Sequence, residues 1–273
     1  MAERLLAYVP GGEATRTQVM RQAAGPADSS PPNAGLIWDR YLPIWTPSGE
    51  RSELRKPLEA FVKMFNDRVK AQPEYLNEQL ARHIRALEQL AKQPEIRLGT
   101  VECQFSWRFV TGTGADHPTE NGFTFHRTTG LPVIPGSSIK GLCRAAAGLE
   151  GMSESETERL FGPAEISSSR PGFRGALSFF EAIPKRPPGL CVDVINCHHP
   201  RYYQQGGSEP TETESPVPVF FVAVDEGARF VFSYLARQQA DLETAERLLR
   251  LGLEWIGIGA KTAAGYGAGV IGG

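Results

Sequence analysis

Apolar residues change their period several times along this chain, and each change marks an element. Leu54, Leu58, Phe61, Val62, Phe65 and Val69 recur at helical spacing, with Pro57 tolerable only near the first turn. Gln72 and Pro73 break that run. Leu76, Leu80, Ile84, Leu87 and Leu90 then trace a second apolar stripe that Pro94 ends, so a helical hairpin of about 40 residues is expected. From residue 101 the period drops to two. Val101, Cys103, Phe105, Trp107 and Phe109 alternate with Glu102, Gln104, Ser106 and Arg108, the pattern of a half-buried strand. Ser137 and Ser138 stand where a helix cap belongs, ahead of Ile139, Leu142, Cys143 and Ala146. Residues 175–183 (GALSFFEAI) read as a strand. Residues 219–224 and 229–235 read as a hairpin turned at Asp225, Glu226 and Gly227. Leu242, Ala245, Leu248, Leu249, Leu253 and Ile256 form a last amphipathic helix, before a glycine-rich loop and a short strand at 267–271.

This order predicts an α+β fold: a ferredoxin-like (RRM-type) core, an antiparallel sheet with both helices on one face, carrying a helical insertion and long loops. Three parts are expected. Residues 1–35, rich in Gly, Pro, Ala and Ser, form a flexible arm; residues 36–95 hold an apolar docking segment (Leu36 to Trp45) and the helical hairpin; residues 96–273 form the core. The open face of such a sheet commonly receives single-stranded RNA, but a fold does not establish a function.

Composition narrows the classes. The apolar runs, such as Val219 to Val224, are too short to span a bilayer, and Arg4, Arg16 and Arg21 interrupt any signal-type stretch, so a cytoplasmic protein without membrane contact is expected. The net charge of −2 rules out a globally basic nucleic-acid binder and requires any such surface to be a local stripe. Of the 29 basic residues 22 are arginine, the side chain whose planar fork suits phosphates. Cys191, Cys197, His198 and His199 adjoin one another with no second pair of ligands, so neither metal nor cofactor is expected.

Two segments carry chemistry. In Leu131 to Gly141 (LPVIPGSSIKG), the free N–H groups of a helix start, with Ser137, Ser138 and Lys140, make an anion site, and Arg144 lies one turn on along the same face. The same residues read equally as a well-capped helix with a solvent lysine. In Gly257 to Gly267 (GIGAKTAAGYG), glycines free to take positive φ can form a nest of N–H groups, Lys261 adds charge and Tyr266 a stacking face. A P-loop is rejected because Ala260 separates Gly259 from Lys261 and the loop follows a helix; a dinucleotide fingerprint needs the reverse order of elements.

Together these two motifs resemble those of the RAMP superfamily of CRISPR-associated proteins, and specifically its sixth-subunit branch from Cmr-type (type III-B) effector complexes. Further matches are Asn33 to Tyr41 (NAGLIWDRY), Phe123 to Gly141 (FTFHRTTGLPVIPGSSIKG), Asp193 to Tyr203 (DVINCHHPRYY) and Glu214 to Pro218. The resemblance implies a non-catalytic subunit that caps the complex near the crRNA 3′ end. Its implied partners are crRNA, target RNA, other RAMP subunits and the small helical subunit. The implied RNA-binding residues are Gly257, Gly259, Lys261, Thr262, Gly265, Tyr266 and Gly267 in the loop, then Ser137, Ser138 and Lys140, with His126 and Arg127 upstream. The rival reading is an endoribonuclease drawing acid and base from His126, His198, His199, Lys140 or Tyr266, or cutting through Asp116 or Asp193. A third is an assembly subunit that touches protein alone.

Overall fold

The computed structural model describes residues 33–46, 50–71, 73–165, 172–197 and 217–272. Except for Asn33, Ala34 and Gly35, the N-terminal arm therefore lies outside the described residues, as do His198 and His199.

The chain enters through a short helical turn, Ala34–Leu36, continued by a wider turn at Ile37–Tyr41. Asn33 caps it, its side chain accepting from the N–H of Leu36. This segment plugs the core: Ile37, Trp38, Leu42 and Ile44 are buried, and the Trp38 ring lies 5.2 Å from that of Phe61. Trp38 also stacks on the His117 imidazole, whose Nε2 faces the Trp38 carbonyl at 3.0 Å while Nδ1 accepts from the N–H of Thr119.

Helix α1 (Arg55–Ala71) buries Pro57, Leu58, Phe61, Val62 and Phe65; α2 (Pro73–Leu90) buries Leu87. The expected hairpin is realised only as two successive helices. Besides Trp38, α1 packs on two strands, β4 (Leu190–Cys197) and β5 (Val217–Val224), and Asn66 fastens it there, donating to the Leu190 carbonyl at 2.8 Å and accepting from the Leu190 N–H at 2.9 Å.

The larger sheet is antiparallel throughout. β1 (Arg97–Phe105) pairs with β6 (Arg229–Ala236) on one side and β7 (Gly269–Ile271) on the other; β2 (Ser178–Phe179) and β3 (Ile183–Pro184) line the far side of β6. Strand alternation puts Val101, Cys103 and Phe105 into the core with Phe230, Phe232 and Tyr234 of β6. Helices α3 (Gly136–Leu149) and α5 (Gln239–Trp255) cover that core, packed on each other where Gly252 admits Leu142. A single hydrophobic cluster runs from Trp38 and α1 through the sheet to α5. No described helix is long and apolar enough to cross a membrane.

Four local expectations are corrected. First, residues 219–235 do not fold back as a hairpin. β5 pairs with β4, while β6 pairs with β1, and a turn at Glu226 and Gly227 joins them. Gln104 faces Arg229 and Phe109 bridges Val224; between these pairs Phe105 donates to the Ala228 carbonyl and accepts from the Gly227 N–H, so the chain beyond β1 stays beside the turn. Second, residues 175–183 give only the fragments β2 and β3, because Ala182 turns aside to exchange two hydrogen bonds with Ile134. Third, Ser137 and Ser138 do not cap α3. The cap position is Pro135, whose carbonyl takes the N–H groups of Ser138 (2.9 Å) and Ile139 (3.2 Å). The helix can start that early because Gly136 has no Cβ to strike the Phe179 carbonyl. Fourth, Trp107 leaves the alternation and is 42% exposed, with Arg108 over its ring. An additional short helix, α4 (Glu154–Phe161), begins at Ser153, which accepts from the N–H of Glu156.

Burial holds His117 and His83 below the usual histidine range. The unfolded chain takes up these protons near pH 6.5 and the folded one only at lower pH, so acidification favours unfolding. Urea midpoints are therefore expected to fall between pH 7 and pH 5, and to fall less in His117→Gln. Equal pH dependence of the two proteins would refute the assignment to His117.

Candidate functional site

The two motifs, about 120 residues apart in sequence, meet at the end of β1. A cleft of about 340 Å³ is lined by Ser138 of the first α3 turn, by Ile258, Gly259 and Ala260 of the glycine loop, and by residues 111–114. Ser137, Ser138 and Lys140 are exposed on the opening turn of α3. Because Pro135 rather than a serine holds the cap, both hydroxyls remain available at the positive end of the helix dipole.

The glycine loop is shaped by backbone packing against β1. Ala260 donates to the Val110 carbonyl, Gly267 to that of Arg108, and Ile258 to that of Gly267, each at 2.9 Å. Gly257, Gly259, Gly265 and Gly267 all take left-handed φ. A Cβ on Gly259 would overlap the Val110 carbonyl, and one on Gly267 the Ile258 carbonyl, whereas Gly265 faces open space. Three of the four glycines thus serve the seat of the loop rather than close approach by a ligand. The N–H groups of Gly259, Lys261 and Thr262 stand outside those three bonds. Lys261 itself sits at φ +61°, an uncommon conformation for a residue with a side chain, and its Nζ lies 4.8 Å from the centre of the Phe221 ring on β5.

Tyr266 is tied rather than free to stack. Its hydroxyl donates to Asp193 Oδ2 on β4 at 2.6 Å, and Arg108 donates to the same oxygen at 2.8 Å. Burial pushes the Tyr266 phenol up to about 12, with Asp193 adding to the effect. Burial also raises Asp193, but the hydrogen bonds from Tyr266 and Arg108 outweigh it and hold the carboxyl below its usual range. This three-way bond joins the end of β1, the β4–β5 pair and the glycine loop.

The family model of the RAMP superfamily matches residues 43–270, a span that contains both motifs and all of the larger sheet but the last residue of β7. The chain belongs to the RAMP superfamily. It is similar to the CRISPR system Cmr subunit Cmr6 of Pyrococcus furiosus, at 27% identity over 59% of this chain and 64% of that protein. It is also similar to the CRISPR system CMR subunit Cmr6 of Saccharolobus solfataricus, at 27% identity over 54% of this chain and 47% of that protein. It thus spans less than two thirds of the length of these curated relatives. Its fold matches a chain of the type III-B Cmr-beta bound to cognate target RNA, with a TM-score of 0.60 at 20% identity, over 81% of this chain and 76% of that one.

In this RAMP chain the other expected site residues lie apart from the cleft. Arg144 does not share the Lys140 face: its guanidinium donates to the Gly162 carbonyl at the end of α4 and lies over the Phe161 ring, 5.7 Å from its centre. His126 lines a different cleft, and Arg127, exposed beside it, takes a hydrogen bond on its carbonyl from Asn33. Asp116 is exposed in the loop that adjoins the first cleft. Cys191 is half-buried with its thiol pushed up to about 12 by burial, and its expected neighbours His198 and His199 lie outside the described residues. Arg108 and Phe221, which organise the loop, escaped the sequence reading, because Arg108 fits the polar side of the alternation and Phe221 lies inside an apolar run. The solvent face of the larger sheet carries Glu102 paired to both Lys185 and Arg229, so two cations share one carboxylate there.

Proposed function

We propose that this chain is a non-catalytic RNA-binding subunit of a type III-B CRISPR effector complex, capping the assembly near the 3′ end of the crRNA and contacting crRNA and target RNA alongside other RAMP subunits and the small helical subunit. The observation that carries the reading is the convergence of the α3 start and the glycine loop on one cleft. Backbone N–H groups and hydroxyls, flanked by Lys140 and Lys261, offer phosphates contacts that position a strand without reading its bases. The similarity to Cmr6 proteins supports the assembly. The strand order β2-β6-β1-β7, with α3 and α5 against the core, supports a ferredoxin-like arrangement.

A binding role is favoured over cleavage by the chemistry of the cleft, whose described lining holds no ionisable side chain to act as general acid or base. Tyr266 and Asp193 are engaged with each other, and His126 stands in a separate cleft.

The test mixes the full chain with labelled single-stranded RNA and divalent metal, with and without its candidate partner subunits, following retention and cutting together. Lys140→Glu is expected to weaken retention for all sequences and to lower the salt slope by about one. Cutting by the lone chain that Asp116→Ala or His126→Ala abolishes would make the protein a nuclease. RNA retention indifferent to Lys140→Glu and Lys261→Glu together would leave a subunit that touches protein alone.

A further inference from the structure

A second cleft, of about 280 Å³, lies between α2, β3 and the segment that leads into α3. None of its lining residues belongs to the cleft built from the glycine loop. Leu80, Val133 and Pro184 give it apolar walls, and Arg82, His83, His126 and Thr129 give it polar groups.

One of those groups calls for an occupant, and another is fixed in place beside it. The Nε2 atom of His83 is buried and has no hydrogen-bond partner. Most buried polar groups in native interiors have a partner, so an unpaired one in the wall of a cleft points to a ligand that supplies it. His126 is fixed in orientation. Its Nδ1 accepts from the N–H of Thr129 at 3.2 Å, which leaves the ring proton on Nε2, 3.1 Å from Glu181 Oε1. The cleft therefore combines a locked imidazole, an unpaired imidazole nitrogen and apolar walls, with the exposed Arg82 beside them.

We propose that this cleft binds a single nucleotide, with the base between the apolar walls, a base-edge polar group on His83 Nε2 and the phosphate at Arg82. A base suits the walls because its faces are flat and weakly polar, and it suits the orphan because its edge carries both donors and acceptors. A guanidinium is the side chain best matched to a phosphate. At about 280 Å³ the cleft lies just below the usual range of ligand sites, which favours a small ligand. Two sources supply that chemistry: a base splayed out of bound RNA, which rests on the proposed function, and a free mononucleotide, which does not.

The experiment has two arms on the full chain. Equilibrium dialysis measures UMP and AMP, and uridine and adenosine, against the wild type, Arg82→Glu and Leu80→Trp. Saturable binding is expected, with nucleotide affinity about tenfold lower in Arg82→Glu and binding lost when tryptophan fills the cleft. Arg82 is exposed, so its variant reports even where Leu80→Trp disturbs folding. In the second arm, RNA containing 4-thiouridine is crosslinked and the adducts are mapped by mass spectrometry. Adducts on residues 79–83 or 126–133 assign the base to RNA; mononucleotide binding without such adducts assigns it to a free nucleotide. No mononucleotide binding and no adducts in those segments overturn the proposal, even where Lys140→Glu weakens RNA retention as expected. Indifference of RNA retention to Lys140→Glu, with UMP held in the cleft, overturns the function instead and leaves the cleft standing.

Discussion

Gly267→Ala is expected to unseat the glycine loop, lowering folding stability by about 2–3 kcal/mol and abolishing RNA retention. Two penalties coincide at this residue. Its φ of +75° disfavours any side chain, and a Cβ would overlap the Ile258 carbonyl. Relief requires the loop to move, which breaks the bonds from Ile258 to Gly267 and from Gly267 to Arg108, and with them the wall of the cleft. Gly265→Ala is the matched control. It has a similar φ of +88° but open space around it, so it carries the conformational cost alone, about 1 kcal/mol. Denaturant titration of both variants separates the effects; equal losses would show that packing against β1 does not fix the loop.

Asp193→Ala should be nearly as damaging, by about 1–2 kcal/mol, through the group it abandons. The Arg108 and Asp193 side chains are 29% and 16% exposed, so the loss falls short of the 3–5 kcal/mol of a fully buried pair. Arg108 would keep only Asp225, at 3.7 Å, and the Tyr266 hydroxyl would lose its acceptor. The pH dependence has a definite sign. Asp193 has a folded pKa below its unfolded value near 3.9, so its contribution is present above that value and disappears as the pH falls through the lower folded one. The difference between wild type and Asp193→Ala should therefore be flat from pH 5 to 7 and shrink below pH 4. A difference that grows on acidification would rule out the ion pair as its source. Tyr266→Phe, which removes one hydrogen bond and strands no charge, should cost about 1 kcal/mol.

What the sequence made legible was local. The alternation through Val101, Cys103 and Phe105 located β1, and the stripe from Leu242 to Leu253 located α5, because each pattern is set by one side facing the core. What it hid was set at a distance. Asp225, Glu226 and Gly227 have the chemistry of a hairpin turn, yet the strands on either side of them take separate partners, β4 and β1, instead of pairing with each other. Ser137 and Ser138 have the chemistry of a cap, but the room that Gly136 finds under Phe179 starts the helix earlier. Arg144 shares a helical spacing with Lys140, and nothing near it in sequence announces the Gly162 carbonyl that claims it. Within the site, the glycine loop and the α3 start were visible as motifs. Their meeting was not, nor was the bond from Tyr266 to Asp193 across 73 residues.

The turn at Glu226 and Gly227 makes residues 217–236 a two-armed link between the two sheets. One arm is gripped by β4 and α1, the other by β1 at the centre of the larger sheet. A load on the β4–β5 pair is thus delivered along covalent backbone to β6, the neighbour of β1, and amide exchange in β6 should register what happens at the far tip of β5.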